Sequence, residues 1–159
     1  MRPLIVMKDS CEMQFYLNKI INPEDLVDFF STVLAMNVTT LDNFDGNAPA
    51  FLQLTEYETG QFPIGINIAW NQFVMPLVGS DIEVAKKLAQ SYQVAVVTDL
   101  PDGHPLQDDP FCWCIAEPNG AVSEISENVA AEKSQPEGLL LDDNTKKKLA
   151  MSLTYQQAA

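Results

Sequence analysis

Alternation of apolar and polar residues in the middle of the chain predicts two strands that form a hairpin. Residues 64–70 alternate between large apolar side chains and small or polar ones, which is the period of a strand with one buried face. Residues 51–58 are also rich in strand-forming types, and the linker 59–63 contains a glycine and a proline. Because these residue types favour tight turns, the two strands are expected to lie side by side.

Three further segments have the composition of strands. Residues 14–20 and the apolar run 94–97 predict one strand each, and the second of these is expected in the interior of a sheet. Residues 111–116 alternate in a similar way and are followed by an Asn-Gly pair at 119–120 and by the apolar segment 122–125. An Asn-Gly pair between two such segments predicts a second hairpin.

Two helices are predicted from their capping residues. Asn22 precedes a proline and two acidic residues, which suits a helix start because Asn accepts hydrogen bonds from free N–H groups and acids favour the positive end of the helix dipole. The apolar residues of 26–34 then fall on one helical stripe. Ser80 and Glu83 form a capping box, so a second helix is expected to run to about Tyr92.

These elements predict an α+β protein with a single, largely antiparallel sheet and two to three helices packed on it. Residues 1–128 are expected to form one acidic domain, because 159 residues with 47% hydrophobic content can bury a sizeable core. Residues 129–142 are predicted to be a linker whose three consecutive leucines dock on the domain. A third helix that begins near Asp143 is predicted within residues 143–159, either docked on the domain or extending from it.

The chain is strongly acidic, and the acidity is concentrated in the predicted domain. The net charge is −13, and residues 1–130 hold 18 Asp and Glu but only five Lys and Arg. Such a charge repels nucleic acid and anionic membranes, and it speeds encounter with a cationic partner. No segment approaches the roughly 18 apolar residues of a membrane span, and the first apolar run is too short for a signal peptide. We therefore expect a cytoplasmic protein that binds neither nucleic acid nor membranes, and its oligomeric state is left open.

Residue types that carry catalysis or bind metals are sparse. His104 lies in a loop without a recognisable nucleophile nearby, so a surface histidine is favoured over a catalytic base. Asp42 and Asp45 flank a turn but lack the ligand spacing of a calcium loop. Cys112 and Cys114, two apart on a predicted strand, are expected to be reduced and buried. The sequence therefore predicts no catalytic residue, no metal site and no cofactor.

Carboxylates beside aromatic residues form the pattern that points to a function. Four aspartates fall in the segment 99–109 without a Lys or Arg, and a cationic partner would relieve their mutual repulsion. The alternative is that these acids only keep the protein dispersed in water. In protein interfaces, aromatic residues supply buried area and acids steer the partner. The predicted partner-binding residues are Glu56, Tyr57, Glu58, Trp70, Asp99, Asp102, Asp108 and Asp109.

Three segments resemble the immunity proteins that bacteria encode beside polymorphic toxins, and that neutralise a toxin domain in the cell that makes it. The segments are the hairpin 51–57 with 65–70, the helix and strand of 82–97, and the stretch 109–120. The last contains Asp-Pro-Phe-Cys-Trp and an Asn-Gly turn, similar to a recurrent strand and turn of such families. The resemblance implies a basic toxin domain as partner. It assigns no catalytic residue, and because toxin contacts vary in these families it assigns no contact residue.

The function predicted from the sequence is therefore that of an inhibitor, not an enzyme, that binds and neutralises a basic toxin domain such as a nuclease. Two alternatives remain open. A secretion chaperone is also small and acidic, but it would bind a disordered effector segment and would need an exposed apolar patch. A small enzyme could use Glu56 or Glu58 with Asp99 as acid and base, and it would need a deep pocket that holds an acid with a raised pKa.

Overall fold

The computed structural model describes residues 12–40, 48–71, 80–129 and 138–149. In this part of the chain, eight strands form one sheet and two helices pack on it, which confirms the predicted α+β class. The helices are α1 (Pro23–Leu34) and α2 (Asp81–Tyr92). The strands are β1 (Glu12–Leu17), β2 (Val38–Thr40), β3 (Ala50–Glu56), β4 (Ile64–Trp70), β5 (Val96–Thr98), β6 (Cys112–Ala116), β7 (Val122–Glu127) and β8 (Leu141–Lys148).

The strand order across the sheet is β2-β3-β4-β1-β5-β6-β7-β8. Every neighbouring pair is antiparallel except β2 with β3, so the predicted antiparallel character of the sheet is confirmed. Both predicted hairpins are present as β3 with β4 and β6 with β7. The short strand β2 was not predicted, because three residues are too few to show a periodic pattern.

Both helices begin at the predicted caps. Asn22 Oδ1 accepts a hydrogen bond from the Glu24 backbone N–H at 2.9 Å, and Ser80 Oγ accepts one from the Glu83 N–H at 3.2 Å. These bonds satisfy N–H groups that the first helical turn leaves free. At their other ends, α1 and α2 both stop at a residue in the left-handed conformation.

The main core lies between the two helices and one face of the sheet. Alternate residues of β1, β3 and β4 point to this side and meet the apolar stripes of α1 and α2. The rings of Phe15 and Phe30, for example, are fully buried with centroids 5.8 Å apart. Full burial of each large apolar side chain contributes about 1.5–3 kcal/mol. The largest fully buried side chains of this helix-side core are Phe15, Phe30, Leu17, Leu26, Leu34, Leu52, Ile66, Ile68, Leu88, Val84, Val94 and Val96.

A smaller core on the opposite face is covered by the segment that leads into β8. Leu139 and Leu141 are buried there, as predicted, beside Phe62 from the β3–β4 connection. The segment can approach that connection because Gly138 has a φ of +66° and no side chain, and a Cβ at this position would lie 1.8 Å from the Thr59 carbonyl oxygen. Part of the predicted linker is therefore packed on the sheet, and residues 130–137 lie outside the described residues.

The predicted C-terminal helix near Asp143 is wrong over the residues that the structure describes. Leu141–Lys148 form β8, which pairs antiparallel with β7. The strand is favoured by tertiary contacts, because Leu141 is buried and Thr145 Oγ1 accepts a hydrogen bond from the Ser126 N–H at 2.9 Å. Pairing with β7 therefore overrides the local helical pattern. Residues 150–159, and the loop around 41–47 with its calcium-like aspartates, lie outside the described residues.

Candidate functional site

The sheet face opposite the helices carries polar and aromatic side chains on its central strands. Glu12, Gln14 and Tyr16 of β1 alternate with three buried core residues. The strand register places Gln14 beside Asn67 of β4, and Asn67 beside Gln53 of β3. All five side chains are exposed or half-buried. We call this surface the open face, and it comprises Glu12, Gln14, Tyr16, Gln53, Tyr57, Asn67, Asp99, Trp113 and Glu127. Two of its members, Tyr16 and Trp113, also pack against the smaller core that contains Leu139 and Leu141.

Three rings form a row across the open face: Tyr57, Tyr16 and Trp113, here called the aromatic row. The ring centroids of Tyr16 and Tyr57 are 6.3 Å apart, and those of Tyr16 and Trp113 are 5.6 Å apart with ring planes at 84°. Gly65 of β4 makes room for the row, since a Cβ there would lie 3.1 Å from Cε2 of Tyr57 and 3.4 Å from Cε1 of Tyr16. A glycine inside a strand thus serves the close approach of two rings.

Hydrogen bonds and nearby charges fix the polar edges of the aromatic row. Trp113 Nε1 donates a hydrogen bond to Glu127 Oε2 at 2.9 Å, and Gln14 Nε2 donates one to the Tyr16 hydroxyl at 2.8 Å. The pKa of Tyr16 is raised, first by burial and then by Tyr57, Glu127 and Asp99. Two carboxylates, Glu127 and Asp99, are therefore close enough to make the surroundings of the Tyr16 hydroxyl negative.

Four carboxylates gather where β1 and α2 begin and β5 ends: Glu12, Asp81, Asp99 and Asp102, here called the acidic cluster. Burial raises the pKa of Asp81 to about 6, and the charges of Asp99 and Asp102 add to the increase. The pKa of Asp99 is also raised, first by burial and then by Asp102 and Glu12. These shifts mean that the folded chain holds like charges close together at neutral pH.

No Lys or Arg in the described part of the chain forms an ion pair with the acidic cluster. The sequences of strands β1 to β7 contain neither residue type. The described ion pairs lie elsewhere, between Lys146 and Glu117, between Lys147 and Glu124, and between His104 and Glu124. The open face and the acidic cluster therefore make up a negative surface with aromatic rings at its centre.

Three of the eight predicted contact residues lie at this surface. Tyr57 belongs to the aromatic row, and Asp99 and Asp102 belong to the acidic cluster. Glu56 and Glu58 are exposed at the end of β3, away from the aspartates. Because β4 and β1 lie between β3 and β5, about 14 Å of sheet separates the two groups of acids.

The other three predicted contact residues are placed differently. Trp70 is 9% exposed and packs in the helix-side core, so its ring is not presented at a surface, contrary to expectation. Asp108 and Asp109 are exposed, and Asp109 Oδ1 accepts a hydrogen bond from the Phe111 N–H at 2.9 Å. Burial raises the pKa of the Cys112 thiol, and the neighbouring Asp109 carboxylate raises it further. The acidic segment 99–109 is thus divided: Asp99 and Asp102 belong to the acidic cluster, and Asp108 and Asp109 lie outside it.

Sequence reasoning missed Tyr16, Trp113, Asp81 and Glu127 as site residues. A signal existed in β1, where an acid, an amide and an aromatic residue occupy successive outward positions at 12, 14 and 16. Trp113 and Glu127 meet only through the pairing of β6 with β7. Asp81 reaches the acidic cluster only because α2 begins beside the end of β5.

His104 anchors the loop between β5 and β6, so its predicted surface position is wrong. The side chain is 7% exposed, Nδ1 accepts the Leu106 N–H at 3.0 Å, and Nε2 lies 2.6 Å from Glu124 Oε2. Lys147 Nζ lies 3.1 Å from the other carboxylate oxygen of Glu124. Burial disfavours the charge of Glu124, but the hydrogen bonds from His104 and Lys147 outweigh it, so the pKa of Glu124 is lowered.

Neither the thiols nor the carboxylates of the described residues are arranged for metal binding. No group of three or more His, Cys, Asp or Glu among them could hold an ion. Cys112 and Cys114 are free, burial raises the pKa of Cys114 to about 12, and the pKa of Cys112 is raised as well. Both thiols are therefore protonated at neutral pH and unsuited to nucleophilic attack.

A groove of about 740 Å³ lies between α1 and the β2–β3 edge. Its described lining includes Glu24 and Asp28 but not Asp81, the carboxylate whose pKa is raised to about 6. The combination that would favour a carboxylate enzyme, a deep pocket around an acid with a raised pKa, is thus not found at this groove in the described residues.

Fold and surface together define a class, an α+β protein with one open sheet face that is both acidic and aromatic. No family model matches the chain, and no curated protein and no solved structure is significantly similar to it. Neither α1 nor α2, the helices of the described segments, is long and apolar enough to cross a membrane. The surface itself therefore carries the evidence for a function.

Proposed function

We propose that this protein is an inhibitor of the immunity-protein type, which binds a basic toxin domain through the open face and the acidic cluster. The observation that carries the proposal is the acidic cluster, which forms no ion pair with a Lys or Arg of the described residues, beside half-buried aromatic rings on the sheet face opposite the helices. Carboxylates of this kind accelerate encounter with a cationic surface, and aromatic rings stabilise the complex once water is displaced.

Solubility alone does not account for the placement of these acids. Exposed and dispersed carboxylates keep a protein soluble without cost to its stability. In the acidic cluster, by contrast, burial and mutual repulsion raise the pKa of Asp81 to about 6, which means that the charged form is destabilised in the folded chain. A cationic partner that approaches Asp81, Asp99 and Asp102 would remove this penalty on binding.

The two alternatives receive less support. A secretion chaperone would present a contiguous apolar surface, whereas the open face carries amides and carboxylates around its rings. A carboxylate enzyme would place its perturbed acid in a pocket, whereas Asp81 is not among the described residues that line the groove beside α1. Both alternatives stay predictions.

The test uses the protein encoded beside this gene, where the toxin of an immunity protein is expected. We compare a cluster variant, Asp81→Asn with Asp99→Asn and Asp102→Asn, with a control that loses the same charge, Asp108→Asn with Asp109→Asn and Glu58→Gln. The cluster variant should associate about tenfold more slowly at low ionic strength, with a flatter salt dependence, and should protect growth less. The control should stay within about twofold of wild type. Equal effects of the two variants, or no effect of either, would refute the proposal.

A further inference from the structure

We propose that the groove between α1 and the β2–β3 edge binds an extended, basic segment of another protein, which adds to β3 as a short strand. The groove lies on the helix side of the sheet, away from the open face, so this inference goes beyond the proposed function and does not depend on it. Its volume of about 740 Å³ falls in the range of about 300–1,000 Å³ that specific binding pockets have.

β3 is longer than the strand that pairs with its outer edge. β2 pairs only with Ala50–Leu52, so the rest of β3, as far as Glu56, has no second neighbouring strand in the described part of the chain. In an antiparallel pair, alternate residues bond to the same neighbour, and the Tyr57 N–H donates to the Pro63 carbonyl on the β4 side at 2.8 Å. The N–H and C=O groups of Leu54 and Glu56 therefore point away from β4, to the side on which β2 ends.

The groove has an apolar floor and an acidic rim. The floor includes Val27, Leu52 and Leu54. Glu24 and Asp28 also line the groove, and both are exposed on the same side of α1, one turn apart. Neither forms an ion pair with a Lys or Arg of the described residues. Because like charges four residues apart in a helix repel each other, a cation between these two acids would stabilise both.

An extended segment with Lys or Arg at alternate positions fits the edge, the floor and the rim together. Its backbone pairs with Leu54 and Glu56, as in other complexes that form by strand addition. Side chains of a strand point alternately to its two faces, so every second side chain enters the groove. The long apolar stem of a lysine packs on the floor, and its charged head reaches Glu24 and Asp28 at the rim.

Backbone amide signals of a ¹⁵N-labelled sample test where such a segment binds. We titrate the protein with the peptide Lys-Thr-Lys-Thr-Lys-Thr and with Lys-Lys-Lys-Thr-Thr-Thr, which have blocked ends and the same composition and charge. The alternating peptide should shift the signals of Leu54 and Glu56 and bind about fivefold more tightly than the block peptide, because only alternation places all its lysines on one face of a strand. The signals of Asp81 and Asp99, in the acidic cluster, should respond equally to both peptides, since general charge attraction does not depend on their order.

A pair of double variants tests the rim. Glu24→Gln with Asp28→Asn removes the rim charges, whereas Asp25→Asn with Glu83→Gln removes the same charge from exposed acids that are not among the described lining of the groove. The rim variant should weaken binding of the alternating peptide by about fivefold, and the control should stay within about twofold of wild type. Equal binding of the two peptides, unmoved signals at the β3 edge, or equal effects of the two variants would overturn the proposed groove. The rim variant leaves the open face and the acidic cluster intact, so none of these results bears on toxin association.

Discussion

Replacement of Asp81 by Asn should stabilise the protein at neutral pH, although Asp81 is the first residue of a helix. Two effects compete at this position. A negative charge at the N-terminus of α2 interacts favourably with the helix dipole, by about 0.3–1 kcal/mol. Burial and the charges of Asp99 and Asp102 act in the opposite direction and raise the pKa of Asp81 from 3.8 to about 6.

The size of the pKa shift decides which effect is larger. A shift from 3.8 to about 6 corresponds to at most about 3 kcal/mol of lost stability at pH 7, because one pKa unit equals about 1.4 kcal/mol. Partial exposure of Asp81 reduces this to about 1–2 kcal/mol. The favourable interaction of the charge with the helix dipole offsets part of this penalty, so we expect Asp81→Asn to raise the free energy of unfolding by about 1 kcal/mol.

The pH dependence follows from the direction of the shift. A carboxyl whose pKa is raised in the folded state binds its proton more tightly there, so the contribution of Asp81 to stability is greatest below pH 3.8 and is lost as the pH rises through about 6. The advantage of Asp81→Asn should therefore be full above pH 7, smaller at pH 5, and nearly absent below pH 4.

Urea unfolding at pH 7.5 and pH 5, followed by tryptophan fluorescence, measures both values. Glu83→Gln is the matched control, because Glu83 is an exposed acid in the same helical turn that does not contribute to the raised pKa of Asp81. It should lower stability by a few tenths of a kcal/mol through the dipole alone. If Asp81→Asn instead lowers stability at pH 7.5 by as much as Glu83→Gln does, burial and the charges of Asp99 and Asp102 do not destabilise the charged form of Asp81.

Two further substitutions test the open face and the loop anchor. Gly65→Ala should lower the free energy of unfolding by about 1–2 kcal/mol, because the new Cβ would lie 3.1 Å from the Tyr57 ring. In a Tyr57→Leu background this loss should be smaller. If urea unfolding shows instead that the two losses add, the contact between residue 65 and the Tyr57 ring is contradicted. His104→Gln should cost about 2–3 kcal/mol at pH 7, because Glu124 loses a buried partner. The pKa of Glu124 is lowered in the folded state, so the stability that its charge contributes is present above the usual pKa of 4.5 and should decline as the pH falls below 4.5. An equal cost of His104→Gln in urea unfolding at pH 7 and at pH 3.5 would contradict the role of Glu124.

Elements that depend on local chemistry were predictable from the sequence. Asn22 and Ser80 each mark a helix start, because the side-chain oxygen of a capping residue accepts a hydrogen bond from the N–H of a residue only two or three positions further along the chain. The β6–β7 hairpin was predictable for the same reason, since the Asn-Gly turn brings adjacent segments together. In these cases the residues that determine the structure are neighbours in the chain.

Elements that depend on distant partners were not predictable. β8 has a lysine-rich sequence that fits an exposed helix as well as a strand, and only the open edge of β7 decides between them. The site shows the same limit, because Tyr16 and Trp113 come from strands that are separated by β5 and nearly a hundred residues of chain. Asp99 could be predicted as part of an acidic surface, but its neighbours Glu12 and Asp81 could not.

The placement of the lysines has a consequence for how a partner would approach. Lys146, Lys147 and Lys148 lie on β8, at the edge of the sheet, where charged side chains discourage pairing with other strands. Three to four strand spacings, about 14–19 Å, separate β8 from β5 and β1, beside whose ends Asp99 and Glu12 lie. This distance exceeds the Debye length of about 8 Å at physiological ionic strength, so the lysines do not neutralise the acidic cluster. Negative charge is therefore concentrated at the acidic cluster, and positive charge is concentrated on the last strand, β8. This unequal distribution orients a cationic partner as well as attracting it, which an evenly spread charge of the same size could not do.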